Sequence, residues 1–330
     1  AALAFLFVAP LPLVLHLGHP ERSFEMFLTP NLHSAMAVFG FVYMWYLMVV
    51  LILEIWFDYR KDMILTANEG TGFKRLFYRI LSLGSTDLSE ESIRFDEKAG
   101  TAITIIGIPS AFLLHGYVGF IFGSIKANPW WSSVLTPIVF LFSAIVSGLA
   151  LMLVLYVITS LVRRKGIDDL CLKRLAEFLF YAIIIDLSLE SLDFIHRLYE
   201  SEESIKILSV LISTRLSVSL IVVQFLLGTL IPMGLLAFAL FSNWPNELRR
   251  LVCFCAAILT LIGIFSTRWN VVIGGQLFSK SLRGLTVYKM ELFGLEGILI
   301  SIGLLILPLI ILYVLAKILP PWADASEVTD

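Results

Sequence analysis

Four ionisable residues recur at helical spacing inside an otherwise apolar segment. Asp186, Glu190, Asp193 and Arg197 stand at i, i+4, i+7 and i+11 of FLFYAIIIDLSLESLDFIHRLY, so they share one face of one helix. In a helix that crosses a bilayer, an ionisable group costs roughly 2.5–3.5 kcal/mol at the centre. We call this set the acidic stripe. It predicts either a proton or ion path or a polar seam that joins helices.

The two interpretations differ in what the acids contact. The last two residues of the stripe are four positions apart and can pair with each other, which leaves Asp186 and Glu190 without a base on their own helix. A carboxyl group in apolar surroundings holds a proton more readily than in water, so either could carry one. In the seam interpretation, Arg215 or Arg268 from another helix hydrogen-bonds to them instead.

The histidines form a second group of candidates. His16 and His19 lie in LHLGHPER, His33 opens the next apolar segment, and His115 lies deep inside SAFLLHGYVGF. Interfacial histidines commonly contact hydrated headgroups, and this suffices for His19 and His33. A buried neutral histidine needs a partner or a function, which makes His115 a functional candidate. A haem held by two histidines is an alternative that one deep histidine does not favour.

A third candidate lies late in the chain, in RWNVVIGGQ. Arg268, Asn270 and Gln276 offer polar groups beside an apolar bundle, and Gly274 and Gly275 are expected to end the helix and to allow close backbone approach. An apolar pocket with a few polar groups suits an amphipathic ring compound such as a quinone. The same segment could equally dock a partner subunit.

The composition is that of a polytopic membrane protein. The 330 residues are 58% hydrophobic and 15% charged, with mean hydropathy +0.91, against about 45–50% and 25% in soluble domains. The net charge of −2 does not favour nucleic-acid binding, and the three cysteines fit packing roles. Walker, GxSxG and HExxH motifs are absent from the sequence, so redox chemistry needs electrons from outside. Residue 1 falls inside an apolar run, which indicates that the natural chain begins earlier.

The predicted fold is an all-α integral membrane protein with about eight spanning helices. The predicted spans are 1–18, 34–57, 99–124, 132–162, 174–197, 206–242, 248–272 and 293–319. Most of the 24 basic residues fall in or beside loops 58–98, 163–173 and 243–247 and at the C-terminus, which the positive-inside rule places in the cytoplasm. The middle of loop 58–98, GFKRLFYRILSLG, has amphipathic spacing and is expected on the membrane surface.

Three stretches resemble one family in its order. LGHPER with PNLHSAM, IPSAFLLHGYVGFIFG with PWWSSVLTPIVFLFSAIVSGLALM, and RWNVVIGGQ are similar to elements of the NrfD/PsrC membrane subunits of polysulfide reductase and its relatives. The matching elements span residues 16–276 and look most like the longer HybB/DsrP-like branch. The resemblance implies two four-helix bundles, 1–162 and 163–319, a polar tail 320–330, and two N-terminal helices absent from this chain.

The resemblance also implies partners and site residues. Such subunits bind no haem or metal and exchange electrons between a membrane quinone, here menaquinone or another, and a ferredoxin-like iron–sulfur subunit on the periplasmic face. They work with further membrane and redox subunits. The expected quinone-binding residues are His16, His19, His115, Tyr117, Arg268, Asn270 and Gln276. The expected proton pathway comprises His115, Asp186, Glu190, Asp193, Arg197 and Arg215.

The resulting hypothesis is a quinone-reactive subunit of a respiratory oxidoreductase in the cytoplasmic membrane, not catalytic alone. Its histidines depart from the family pattern, because His16 stands where many members have aspartate and His19 stands at the usual arginine. A secondary transporter or ion channel would explain the acidic stripe but predicts inverted repeats and broken helices. A membrane anchor without a catalytic role predicts that mutations at His115 or Asp186 leave turnover intact.

Overall fold

The computed structural model of the chain is helical, and its described part contains no β-strand beyond one isolated bridge between Phe278 and Leu285. Apolar runs with backbone groups that must be satisfied internally fold as helices in a bilayer. The prediction of an all-α protein is therefore confirmed. The structure describes residues 1–15, 18–29, 31, 33–200, 205–242, 244–279, 284–289, 291–294 and 297–321.

These residues contain thirteen α-helices, one 3₁₀ turn and two π-helical segments. The α-helices are α1 (Ala2–Val8), α2 (Leu11–Leu15), α3 (Glu25–Leu28), α4 (Ala35–Met44), α5 (Ile52–Glu69), α6 (Gly72–Leu81), α7 (Glu90–Gly123), α8 (Thr136–Val162), α9 (Asp169–Glu200), α10 (Ile205–Leu211), α11 (Ile231–Phe241), α12 (Asn246–Gln276) and α13 (Ile298–Ile318). The π-helical segments Trp45–Leu51 and Ile212–Leu230 join α4 to α5 and α10 to α11 without a break.

Six of the described helical stretches are long and apolar enough to cross a membrane, so this is a multi-pass membrane protein. They are Ala35–Glu69, Glu90–Gly123, Thr136–Val162, Lys206–Phe241, Asn246–Gln276 and Ile298–Ile318. Two of the eight predicted spans are not among them.

The two exceptions have different causes. At the N-terminus the helices are short, because the chain turns between α1 and α2 beside Pro10. α9 has 32 residues, about 48 Å at 1.5 Å per residue, which is long enough to span. Its charged residues, including the acidic stripe, keep it from qualifying by composition. The count of eight spans stays a prediction.

The chain divides into two compact units, residues 1–114 with 289–330 and residues 115–288. The sequence placed a boundary between its two predicted bundles at residue 162, whereas packing groups α8 with α9 and α12 in the second unit. The assignment of two four-helix bundles with a polar tail stays a prediction.

In the first unit a buried arginine fixes the connection between α6 and α7. Arg60 donates from Nε to Asp96 Oδ2 at 2.6 Å and from Nη1 to Ser85 Oγ at 2.9 Å. Its Nη2 donates to Ser92 Oγ. A buried ion pair is tolerated when hydrogen bonds satisfy its remaining polar atoms, and this one ties α5, the loop after α6 and the start of α7 together.

The second unit is held by a core in which α8, α9, α11 and α12 meet. Leu153, Leu179, Leu236 and Ala256, one from each helix, are fully buried there. The start of α9 is capped by Asp168, whose Oδ1 accepts from the backbone N–H of Leu170 at 2.8 Å. This core fixes the position of α9 and hence of the acidic stripe.

Candidate functional site

The acidic stripe lies on the face of α9 that packs into the second unit. Asp186 is only 6% exposed, Glu190 is half-buried, and the side chains of Asp193 and Arg197 are largely buried. The other face of α9 carries exposed apolar side chains, such as that of Leu192. The stripe therefore presents its charged groups to neighbouring helices of its own unit.

The C-terminal pair of the stripe forms an ion pair with a full set of partners. Arg197 Nε donates to Asp193 Oδ2 at 2.8 Å, and Ser133 Oγ donates to the other carboxylate oxygen. The guanidinium lies 5.8 Å from the centre of the Trp130 ring, within cation–π range. Both oxygens of Asp193 are satisfied, so this part of the stripe behaves as an interhelical seam.

Glu190 instead lies at the end of a chain of hydrogen bonds that is formed by uncharged amide side chains. Gln224 Nε2 lies 3.3 and 3.2 Å from its two carboxyl oxygens. Asn270 Nδ2 donates to Gln224 Oε1 at 2.8 Å, and Trp130 Nε1 donates to the backbone oxygen of Asn270 at 2.9 Å. Gln224 and Asn270 are buried, the latter to 1% exposure, so each amide is held by its neighbour.

Two glycines, Gly228 and Gly263, allow the helices that carry the two amides to approach closely. A methyl group at Gly228 would overlap the Cα of Gly263, and one at Gly263 would overlap the Cα of Gly228. The segment Ile212–Leu230 and α12 therefore touch backbone to backbone one turn from Gln224. Only glycine at both positions permits this approach, which puts Asn270 within reach of Gln224.

Arg268 supplies positive charge close to Asp186 and Glu190. It acts electrostatically on both Asp186 and Glu190, although it forms no ion pair with either of these described residues. Its Nη2 donates to Phe140 O at 3.1 Å and to Ser143 Oγ at 2.5 Å. Arg268 Nη1 and Asp186 Oδ1 are both buried without a hydrogen-bond partner among the described residues. Of the two arginines in the seam interpretation, the structure brings Arg268 to the stripe.

A cavity of about 70 Å³ opens beside these groups, and we call it the polar chamber. Its polar wall comprises Thr136, Glu190, Asp193, Arg197, Gln224, Thr267 and Asn270. Aromatic side chains, among them Trp130 and Phe140, and aliphatic side chains complete the lining. Since one water occupies about 30 Å³ of liquid, the chamber suits a few waters. It is much smaller than the roughly 300–1,000 Å³ pockets that hold drug-sized ligands.

The late glycines pack against the loop before α8. Trp131 Nε1 donates to Val271 O at 2.6 Å, and its indole ring occupies the space that a Cβ at Gly275 would need. Asn128 Nδ2 donates to Gly275 O at 2.8 Å. α12 continues through the pair Gly274 and Gly275 and ends one residue later, at Gln276, so the glycines lie inside its last turn and not beyond its end. The other expectation, close approach to the backbone of the pair, holds at Gly275, where Trp131 fills the space of a side chain.

The family assignment follows from a direct comparison. The family model described as "Polysulphide reductase, NrfD" matches residues 1–280 of the chain. The chain belongs to the NrfD family. The resemblance that the sequence predicted is thus confirmed, whereas the finer branch within the family stays a prediction.

Two named proteins are similar in sequence to this NrfD-family chain. A selenate reductase subunit of Mesobacillus selenatarsenatis is 29% identical over 331 residues, which cover 96% of this chain and 74% of the relative. A "putative dimethyl sulfoxide reductase membrane subunit" of Halobacterium salinarum is 26% identical over 203 residues, 58% of this chain and 42% of that protein. Both names denote subunits of reductases, and the second names a membrane subunit, so the chain is similar to subunits of reductases.

The histidine of α7, His115, lies in the second unit. His115 and Tyr117 are half-buried. His115, Gly119 and Gly123 follow one another at four-residue spacing and share a face of the helix. A Cβ at Gly119 would approach Thr136 O to 2.7 Å, so this face of α7 packs against the start of α8.

The remaining predicted residues stand apart from the chamber lining. Gln276 is exposed, and Arg215 is exposed without an ion pair to any described residue. His19 belongs to the first unit, where its Nδ1 lies 2.9 Å from Glu21 Oε1. His16 lies outside the described residues. Within the described part of the chain, no group of three or more His, Cys, Asp or Glu side chains could hold a metal ion.

Sequence reasoning missed Gln224, Trp130 and Ser133. Gln224 stands alone in the apolar run SLIVVQFLLGTL, and a single buried amide in a spanning segment is itself a signal of interhelical hydrogen bonding. Trp130 and Ser133 lie in the PWWSS segment, which supported the family resemblance without suggesting a role in the site.

Proposed function

We propose that this chain is the quinone-reactive membrane subunit of a multisubunit reductase in the cytoplasmic membrane. It would exchange electrons between a membrane quinone, menaquinone or another, and a ferredoxin-like iron–sulfur subunit on the periplasmic face. Its C-terminus would lie in the cytoplasm. The similarity to subunits of selenate and dimethyl sulfoxide reductases supports this role. The main structural support for this proposal is the polar chamber, where the Glu190 carboxyl group is hydrogen-bonded to Gln224, which is in turn hydrogen-bonded to Asn270.

The chamber residues suit proton handling. Oxidation of a quinol to a quinone releases two protons with two electrons, and these protons need acceptors. Glu190 offers a carboxyl group beside space for a few waters, and Gln224 keeps that group in one orientation. Arg268 offsets the negative charge whenever Glu190 or Asp186 is ionised. Asp186, one turn along the same face, extends the path.

We place the quinone ring outside the polar chamber, whose volume of about 70 Å³ is well below that of pockets that hold drug-sized ligands. Arg268 and Asn270, expected from the sequence to bind the ring, have hydrogen bonds to Ser143 and Gln224. We therefore assign Asn270 to the wall of the polar chamber and Arg268 to the charge balance of the acidic stripe. The ring would be held by His115 on α7, whose imidazole suits a quinone carbonyl oxygen. Tyr117, two positions further along α7, lies on the other side of the helix and is not assigned to the same ring.

A test replaces Glu190 with glutamine in the assembled complex. Glu190→Gln keeps the size of the side chain but removes the group that can carry a proton. The matched control is Glu177→Gln on the same helix, where the glutamate pairs with Arg174 at 2.9 Å near the surface. Quinol-dependent electron transfer is expected to fall by about 100-fold in the first variant, the lower range for loss of a proton-transfer group, and to be unchanged in the control.

The readout must separate assembly from turnover. Reduction of the partner subunit by a soluble donor should stay normal in Glu190→Gln, because only the quinol step is affected. Unchanged quinol oxidation in Glu190→Gln and in His115→Ala would contradict the proposal and would favour a membrane anchor for soluble redox subunits.

A further inference from the structure

Helix α6 carries an apolar row that no described part of the chain covers. Phe73 is 82%, Ile80 64% and Leu83 79% exposed, and Leu76 is exposed between them. Their spacing, at positions 73, 76, 80 and 83, places them along one side of the helix and its C-terminal turn. An exposed apolar row of this length indicates an interaction surface.

Basic residues border this row. Lys74, Arg75 and Arg79 are exposed and form no ion pair with any described residue, and residues 70–84 contain no acidic residue. We call these three the basic flank. Long basic side chains beside an apolar row can lay their stems on apolar surface while the charged ends reach phosphate. The charge of the flank complements an anionic partner.

The attachment of α6 sets its height relative to the spanning helices. Tyr78 Oη donates to the backbone oxygen of Ile318 at 2.8 Å, and Trp56 Nε1 donates to Leu81 O at 3.0 Å. Ile318 is the last residue of α13. This 21-residue helix is about 31 Å long at 1.5 Å per residue, close to the roughly 30 Å hydrocarbon layer. α6 is therefore tied to the level at which a span ends.

We propose that α6 lies in the headgroup layer and binds anionic phospholipid. The apolar row would enter the boundary between headgroups and acyl chains, and the basic flank would contact lipid phosphates and negatively charged headgroups. The occupant is a lipid of the bilayer and not a soluble anion, because an apolar row and a basic flank occur together at the end of a span. Neither the family assignment nor the proposed function requires this surface.

The first experiment measures headgroup preference on the full chain. Native mass spectrometry in detergent would follow the first bound phosphatidylglycerol, with phosphatidylcholine as the neutral probe. Replacing the basic flank with glutamines is expected to weaken phosphatidylglycerol binding by about 100-fold, at roughly fivefold per base, and to leave phosphatidylcholine unchanged. The control removes three other exposed bases of the same unit, Lys61, Arg94 and Lys98. Equal losses in both triple variants would overturn the proposal.

The second experiment locates the apolar row. A fluorophore at Ile80→Cys, with Cys171, Cys253 and Cys255 replaced by serine or alanine, would be read in nanodiscs that contain phosphatidylglycerol. Quenching by lipids brominated along their chains, and not by aqueous iodide, is expected. Iodide quenching in the isolated chain that disappears in the assembled complex would instead identify a protein partner, and it would refute lipid binding by this row.

Discussion

Replacing Gln224 with leucine should reveal how strongly the buried amides depend on one another. Gln224 donates to the Glu190 carboxyl group and accepts from Asn270 Nδ2. Leucine fills similar space but can do neither. The variant therefore leaves a buried amide donor and a carboxyl group without this partner, while the backbone contact between Gly228 and Gly263 is untouched.

The expected cost follows from the number of groups left unpaired. A buried polar group that loses its partner costs about 1–3 kcal/mol, so Gln224→Leu should lower the free energy of unfolding by about 3 kcal/mol. Asn270→Ala orphans only Gln224 Oε1 and should cost about 2 kcal/mol. In the double variant the Asn270 donor is gone as well, so only the Glu190 carboxyl group lacks its partner. The cost of the double variant should therefore fall to about 2 kcal/mol, which gives a coupling energy of about 3 kcal/mol in magnitude.

The free energy of unfolding of the purified chain, measured by titrating mixed micelles with SDS, checks this. Gln276→Leu makes the same change at an exposed amide and should alter stability by less than about 0.5 kcal/mol. Costs of the two buried variants that add within about 0.5 kcal/mol would show independent sites, and the hydrogen-bonded chain from Glu190 to Asn270 would be refuted.

Two further predictions concern packing and pH. Gly263→Ala should destabilise the second unit by about 1–3 kcal/mol through overlap with Gly228, whereas Gly234→Ala, with no neighbouring atom within 4 Å of the added carbon, should be neutral or slightly stabilising in the same SDS titration. The hydrogen bond from Arg250 lowers the pKa of Asp169 in the folded protein. The ionised carboxylate therefore stabilises the fold at pH values above the pKa of an aspartate in the unfolded chain, about 3.9. This contribution is lost as the pH falls through the lower pKa of the folded state. Unfolding measured between pH 2 and 6 should therefore lose part of its pH dependence in Asp169→Asn, and an unchanged slope would contradict the assignment.

Periodicity predicted the parts of this structure that depend on one helix at a time. The 3.6-residue repeat suffices to place Asp186, Glu190 and Asp193 on one side of α9, wherever that helix lies. Length and hydropathy likewise suffice for the six apolar helices. α9 does not meet the same criterion of length and hydropathy because it contains several charged residues. A hydropathy scale counts a buried carboxyl group as polar even where another helix supplies its hydrogen-bond partner.

The partners across helices could not be predicted, because local sequence does not encode the register between helices. Nothing near Gln224 in the chain indicates that Asn270, 46 residues away, completes its hydrogen bonds. The paired glycines show the same limit. A glycine pair before a loop commonly marks a helix end, and only the position of Trp131 explains why Gly275 must lack a side chain within the last turn of α12.

We propose that the two interpretations, seam and proton relay, apply to different halves of the acidic stripe. Asp193 has an arginine on one oxygen and a serine hydroxyl on the other, so protonating it would break an existing ion pair. Glu190 has only the neutral donor of Gln224, and Asp186 has an oxygen without a partner among the described residues. These two can gain or lose a proton without losing an ion pair. The same spacing in sequence thus yields a fixed ion pair toward the C-terminal end of α9 and, toward its middle, the two carboxyl groups that we propose carry protons.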